Sequence, residues 1–171
     1  MNKIVHIIFI LFLIYHLNIM IGCTKEKAKE IKKTTTTTDE QLLEEAAQTN
    51  LSYYQNGNLL DAASGSPHGS FKLRFNATAK NVLEKDGELP AGKQFPEGSL
   101  IVKDIYKGGK LTLYAIMKKT LSDDNTGNGW LWNEIEPNGT VVFSVGKRGN
   151  GCISCHSQIP NRDLIRVFDE H

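Results

Sequence analysis

The chain has 171 residues, with 20 Lys and Arg against 19 Asp and Glu and a formal net charge of +1. That length suits one domain with a real core and is short for two. So even a balance gives no electrostatic footprint for nucleic acid or another acidic polymer, so nucleic acid is not an expected partner and function must reside in a localised site.

Met1-Asn2-Lys3 is a short positive start, and Ile4 to Ile21 is an almost unbroken apolar run. Together they read as an export signal over residues 1–22. The run ends in Met20-Ile21-Gly22-Cys23, which resembles the lipobox of bacterial lipoproteins, where a small residue precedes a cysteine that is acylated before cleavage. Cys23 is therefore expected to become a lipidated N-terminus that anchors an exported, periplasm-facing protein to the inner or outer membrane. His6, His16 and Asn18 make the segment a poor permanent span. Residues 23–38 are dense in Lys and Glu and then run through five threonines, Thr34 to Thr38. Such a stretch reads as a solvated tether, which leaves residues 39–171 as the globular domain.

Within that domain, Leu42, Leu43, Ala46, Ala47 and Leu51 recur at helical spacing, predicting an amphipathic helix from Asp39 to Leu51 with Thr38 or Asp39 as its cap. Residues 50–69 read mainly as loop, with a helical turn expected near Leu59 to Ala63. Phe71 to Phe75 alternates as a short strand, and Asn76 is placed to cap a helix reaching Gly87. Leu100 to Tyr106 and Leu111 to Lys118 flank a Lys107-Gly108-Gly109-Lys110 turn and predict a hairpin. Trp130 to Glu136 and Thr140 to Val145, around Pro137-Asn138-Gly139, predict a second. The expected fold is α+β: a mainly antiparallel sheet of two hairpins, helices packed on one face, and a C-terminal haem motif delivered by the Gly146 to Gly151 loop.

That motif comes from the cysteine count. Three cysteines are present, and an odd number in an exported protein leaves one to explain. With Cys23 taken by lipid, Cys152-Ile153-Ser154-Cys155-His156 has the C-x-x-C-H spacing of c-type haem attachment. One helical turn puts both sulfurs beside the two vinyl groups, and His156 follows as the axial iron ligand. Zinc lacks a convincing fourth ligand, a thioredoxin-like pair lacks the chain to build its βαβ unit, and a disulfide across two residues is strained. One covalently bound haem c is the expected cofactor. No methionine follows His156. Met117 and His68 are the remaining candidates for the sixth position, and the favoured reading is an open iron site that takes a small ligand. A simple six-coordinate electron carrier is the alternative.

His68-Gly69, Arg74-x-Asn76, Phe95-Pro96-Glu97-Gly98-Ser99-x-Ile101-Val102-Lys103, Trp132-x-x-x-x-Pro137-x-Gly139, Cys152 to His156 and Arg162-Asp163 occur in that order. Across His68 to Asp163 the chain resembles the cytochrome P-460 family, which includes the gas-binding cytochromes c′-beta. The resemblance implies a chiefly antiparallel sheet with helices, often dimeric, so a homodimer is an expectation. Enzymatic members are hydroxylamine oxidases with a lysine cross-linked to the haem; the matching residue here is Lys103, with Lys85 second. The c′-beta members lack the link and bind nitric oxide or carbon monoxide. The enzymatic branch also uses a distal carboxylate, for which Glu97, Asp104, Glu134 and Glu136 are equal candidates. Phe71, Phe75, Phe95 and Tyr106 are candidates to cap the ligand site, and Arg74 to pair with a haem propionate. Nitric oxide or hydroxylamine and other exported redox proteins are the expected partners.

Overall fold

The computed structural model describes residues 36–159 and 162–169. The expected signal segment, the lipidation site Cys23 and most of the 23–38 tether lie outside them. The last threonines are tied to the domain: Thr37 donates through its backbone N–H (2.8 Å) and its hydroxyl (2.6 Å) to Asp123 Oδ2.

Helix α1 spans Asp39–Ala46. Thr38 and Gln41 form a reciprocal capping box, the Thr38 hydroxyl accepting from Gln41 N (3.3 Å) and Gln41 Oε1 from Thr38 N (2.8 Å). Asp39, freed from capping, instead accepts from Asn133 Nδ2, Ser144 Oγ and Val145 N, pinning the helix across the sheet. The helix ends short of the expected Leu51, which is buried all the same. In place of a helical turn near Leu59, the chain makes β1 (Ser52–Tyr53), a 3₁₀ turn (Tyr54–Gly57) and a bridge between Leu60 and Phe71.

Strands β2 (Phe71–Phe75), β3 (Leu100–Lys107), β4 (Lys110–Lys119), β5 (Trp130–Ile135) and β6 (Val141–Phe143) complete one six-stranded sheet in sequential order, every neighbour antiparallel. Both expected hairpins form. The β3–β4 turn is a two-residue Gly108-Gly109 link with φ of 58° and 75°, the left-handed pair that suits the twist of the flanking strands. Asn76 caps only a single turn, α2 (Ala77–Lys80), through its Oδ1 to Ala79 N (2.9 Å). The same oxygen accepts from Leu100 N (3.0 Å) and the amide donates to Gly98 O (2.9 Å). The short helix is therefore locked to the start of β3.

Helices occupy both faces of the sheet, not one. Leu100, Val102, Ile116, Leu131 and Ile135 bury against Leu42 and Ala46 of α1. The alternate residues Leu73, Phe75, Ile101, Met117, Trp130 and Trp132 face the other way, toward Ala79 of α2 and the C-terminal Ile165, Val167 and Phe168. The physical reason is that the central strands are apolar on both sides, so a single covered face would leave half of them wet. Among the described residues no helix is long and apolar enough to cross a membrane.

On the α1 side, Arg74 and Asp104 form a two-pronged pair (Nε–Oδ2 2.7 Å, Nη2–Oδ1 2.6 Å) at 7% and 3% exposure, and Arg74 Nη1 also donates to the Gln48 carbonyl. Removing one partner of such a pair strands the other charge, which costs about 3–5 kcal/mol. Arg74→Leu should lower the unfolding free energy by about that amount in urea titration, while Lys72→Leu, half-buried on the same strand with no ion-pair partner among the described residues stranded by its loss, should cost under about 1 kcal/mol.

Candidate functional site

The second face of the sheet does not close completely. Leu73, Ile101, Lys103, Met117, Trp132 and Glu134 form the wall of a cavity of about 390 Å³. It is covered by the 63–68 loop, by helix α3 (Cys152–His156) and by Ile165, Arg166 and Val167. That volume falls within the ~300–1,000 Å³ typical of small-molecule and cofactor sites.

Close backbone approach brings α3 to the cavity. A Cβ on Gly149, whose φ is +70°, would lie 2.5 Å from Trp132 Cδ1, so only glycine lets the loop pass over that ring. Trp132 in turn donates to the Gly127 carbonyl (2.9 Å) and stands edge-on to the His156 ring at 5.0 Å. Cys152 and Cys155, one turn apart, are free thiols that both border the cavity, as does His156. The His156 Nδ1 lies 2.6 Å from the carbonyl oxygen of Leu164. A carbonyl only accepts, so Nδ1 carries the proton and Nε2 keeps the lone pair needed to bind a metal. Two thiols and an imidazole so disposed suit capture of a porphyrin by its vinyl edge.

The electrostatics of the cavity are set by burial. Desolvation, with smaller contributions from Glu134 and Cys155, pushes the Cys152 thiol up to about 11. It is therefore a neutral thiol at physiological pH and a poor ligand for a bare cation, and among the described residues no three His, Cys, Asp or Glu side chains cluster to hold one. Arg166 Nη1 lies 2.8 Å from Cys155 Sγ and 3.3 Å from the Cys155 carbonyl. Across the cavity, His68 Nδ1 and Glu134 Oε1 are 3.7 Å apart. The distance would permit an ion pair, but burial first, then the charges of Lys103 and His156, lower the His68 pKa to about 4 and keep it neutral. Burial raises the Glu134 carboxyl above its ordinary value.

Lys103 does not project from a solvent face. Alternation on β3 turns it into the cavity beside Ile101, with its ammonium 3.9 Å from the centroid of the Phe71 ring. Arg74 is not brought to the cavity: strand parity sends it to the α1 side and into its pair with Asp104, so it is not positioned to meet a propionate there. The arginine that borders the cavity is Arg166. It sits beside Cys155, where vinyl groups rather than propionates would attach.

Of the four carboxylates, Glu134 alone borders the cavity; Glu97 accepts from Leu121 N, and Asp104 belongs to the opposite face. Phe71, Phe75 and Phe95 pack in the core behind the wall, and Tyr106 lies beside Lys72. The aromatic rings that do border the cavity are Trp132 and Phe143. His68 and Met117, the two candidate sixth ligands, are both brought into it. Glu134 was reachable by parity, since it lies two and four residues from Trp132 and Trp130 on one strand face. Arg166 and the Leu164 carbonyl had no sequence signal.

No family model matches the chain, and comparison with curated proteins gives no match.

A neutral buried histidine makes stability depend on pH. Between about 4, the folded value, and 6.5, the ordinary one, the unfolded chain binds a proton that the folded chain refuses. The His68 contribution to stability is then fully present above pH 6.5, falls as pH drops toward 4 and levels below it, by on the order of 3 kcal/mol in all. His68→Gln should flatten the decline in that window when denaturant midpoints are measured across pH; an equally steep decline in the variant would assign it elsewhere.

Proposed function

We propose that the chain is an exported, lipid-anchored c-type cytochrome of the cytochrome P-460 kind, with one haem held by Cys152, Cys155 and His156 and a small-ligand site on the other side of the iron. The observation that carries this reading is the convergence of both thiols and the His156 ring on one largely apolar cavity, with Nδ1 committed to the Leu164 carbonyl. A haem bound there supplies an iron that coordinates and exchanges electrons with a small nitrogen-oxide or hydroxylamine-type ligand.

The chain's own residues have separable tasks. His156 presents Nε2 in one tautomer, because the carbonyl of Leu164 holds the other nitrogen. Met117, Trp132 and Phe143 supply the apolar part of the cavity lining. Glu134 is the carboxylate available to accept or return a proton, and its raised pKa brings it closer to working pH; neutral His68 can pass that proton through a 3.7 Å gap bridged by ligand or water. Lys103 is the lysine through which a haem cross-link would form. The Cys23 lipid would hold the domain at the membrane, within reach of exported redox partners, and a homodimer belongs to the same reading.

The presence of His68 and Met117 in the cavity wall favours one alternative, a six-coordinate electron carrier. The two readings part in the optical spectrum of the purified holoprotein. An open site predicts a ferrous spectrum that changes on adding nitric oxide; a low-spin spectrum unmoved by it would leave the carrier. A red-shifted ferrous Soret band abolished in Lys103→Ala assigns the oxidising branch, and an ordinary c-type band in the parent assigns the gas-binding one.

A further inference from the structure

Residues 162–165 form a tight turn closed by Ile165 N donating to the Arg162 carbonyl (2.9 Å). Its two central residues, Asp163 and Leu164, have φ of +49° and +70°. Left-handed backbone is ordinary for glycine and tolerated by aspartate, but leucine rarely adopts it, so the surroundings must impose it. The imposed conformation is the one that aims the Leu164 carbonyl at His156 Nδ1, 2.6 Å away.

The Asp163 carboxylate ties the turn to the sheet, and Arg162, which donates to the Leu89 carbonyl, holds its first residue. Lys119 Nζ contacts both oxygens (2.8 and 2.9 Å), Phe95 N donates to Oδ2 (2.8 Å) and Trp130 Nε1 lies 3.4 Å from Oδ1. The pair is buried, at 7% and 6% side-chain exposure, and the Lys119 ammonium also lies over the Trp130 ring. Lys119 and Trp130 face each other across β4 and β5, as the last pair of that ladder. Without the carboxylate, no side-chain contact of Asp163 opposes relaxation of the turn.

We propose that Asp163, gripped by Lys119, Trp130 and Phe95, is the positioning residue that fixes the tautomer and donor strength of His156 through the Leu164 carbonyl. Its importance as an iron matter rests on the reading of His156 as the axial ligand; its effect on the imidazole does not. A strong acceptor on Nδ1 gives the ring anionic character, which makes it a better donor and lowers the reduction potential of a metal it binds. The sheet thus sets the chemistry of a residue on a helix of only five residues by way of one turn.

The test uses the full chain matured with haem and the double variant Lys119→Met with Asp163→Gly. That change removes the carboxylate, alters no net charge and keeps at position 163 a residue that accepts its positive φ, and buried ion pairs have been replaced by uncharged side chains in other proteins with folding intact. The reduction potential should rise in the double variant and rise less in Asp163→Asn, which keeps an acceptor for Phe95 N. A parent-like potential in the double variant overturns the proposal. Should the parent carry no covalent haem, the axial-ligand reading fails separately, and the ¹⁵N shifts of the His156 ring decide the positioning role: a Nδ1–H tautomer in the parent and a tautomer mixture in the variant support it, and identical shifts overturn it. If the double variant is unfolded by circular dichroism, Asp163→Asn is judged by the same ring shifts.

Discussion

Strand parity is the constraint on which the rest of the molecule depends. On β3, β4 and β5 alternate side chains point to opposite faces, and both faces are covered. One set packs dry against α1 and includes the Arg74–Asp104 pair. The other set supplies the cavity wall and, at its end, the Lys119 and Trp130 grip on Asp163. A one-residue slip on β3 would exchange Lys103 for Asp104 and put a carboxylate where the cavity has an ammonium. Fold and site are therefore specified by the same register.

The cavity is unevenly furnished, and the unevenness has physical sense. Cys152, Cys155 and His156 reach it on a helix of five residues, too short to hold its own position. Contacts from elsewhere hold it: Trp132 against the His156 ring, Arg166 on Cys155, and the Leu164 carbonyl on Nδ1. The cavity also carries His68, which burial keeps neutral at physiological pH, and Glu134, whose pKa burial raises.

Much of this was legible in the residues. Asn76 and Thr38 announce helix starts by their side-chain oxygens, Gly108-Gly109 announces a tight hairpin, and alternation from Phe71 to Phe75 announces β2. The C-x-x-C-H run marks the residues that the fold does bring to one cavity. What local pattern could not supply was face assignment across the sheet. Arg74 reads as a surface residue available to a ligand because its partner Asp104 is thirty residues away and becomes its neighbour only through β2–β3 pairing. Lys103 reads as a solvent-face lysine for the same reason. The helix expected beyond Lys80 fails because nothing apolar in Asn81 to Gly87 except Val82 and Leu83 rewards continuation.

The central claim concerns a covalent bond, and mass reads it directly. After expression of the full chain in a host that matures c-type cytochromes, a proteolytic peptide spanning Cys152 to His156 should exceed its amino-acid mass by one haem, and should return to the bare mass when both Cys152 and Cys155 are replaced by alanine. A parent peptide at its bare mass, from a host that loads a control cytochrome in the same culture, would contradict the account.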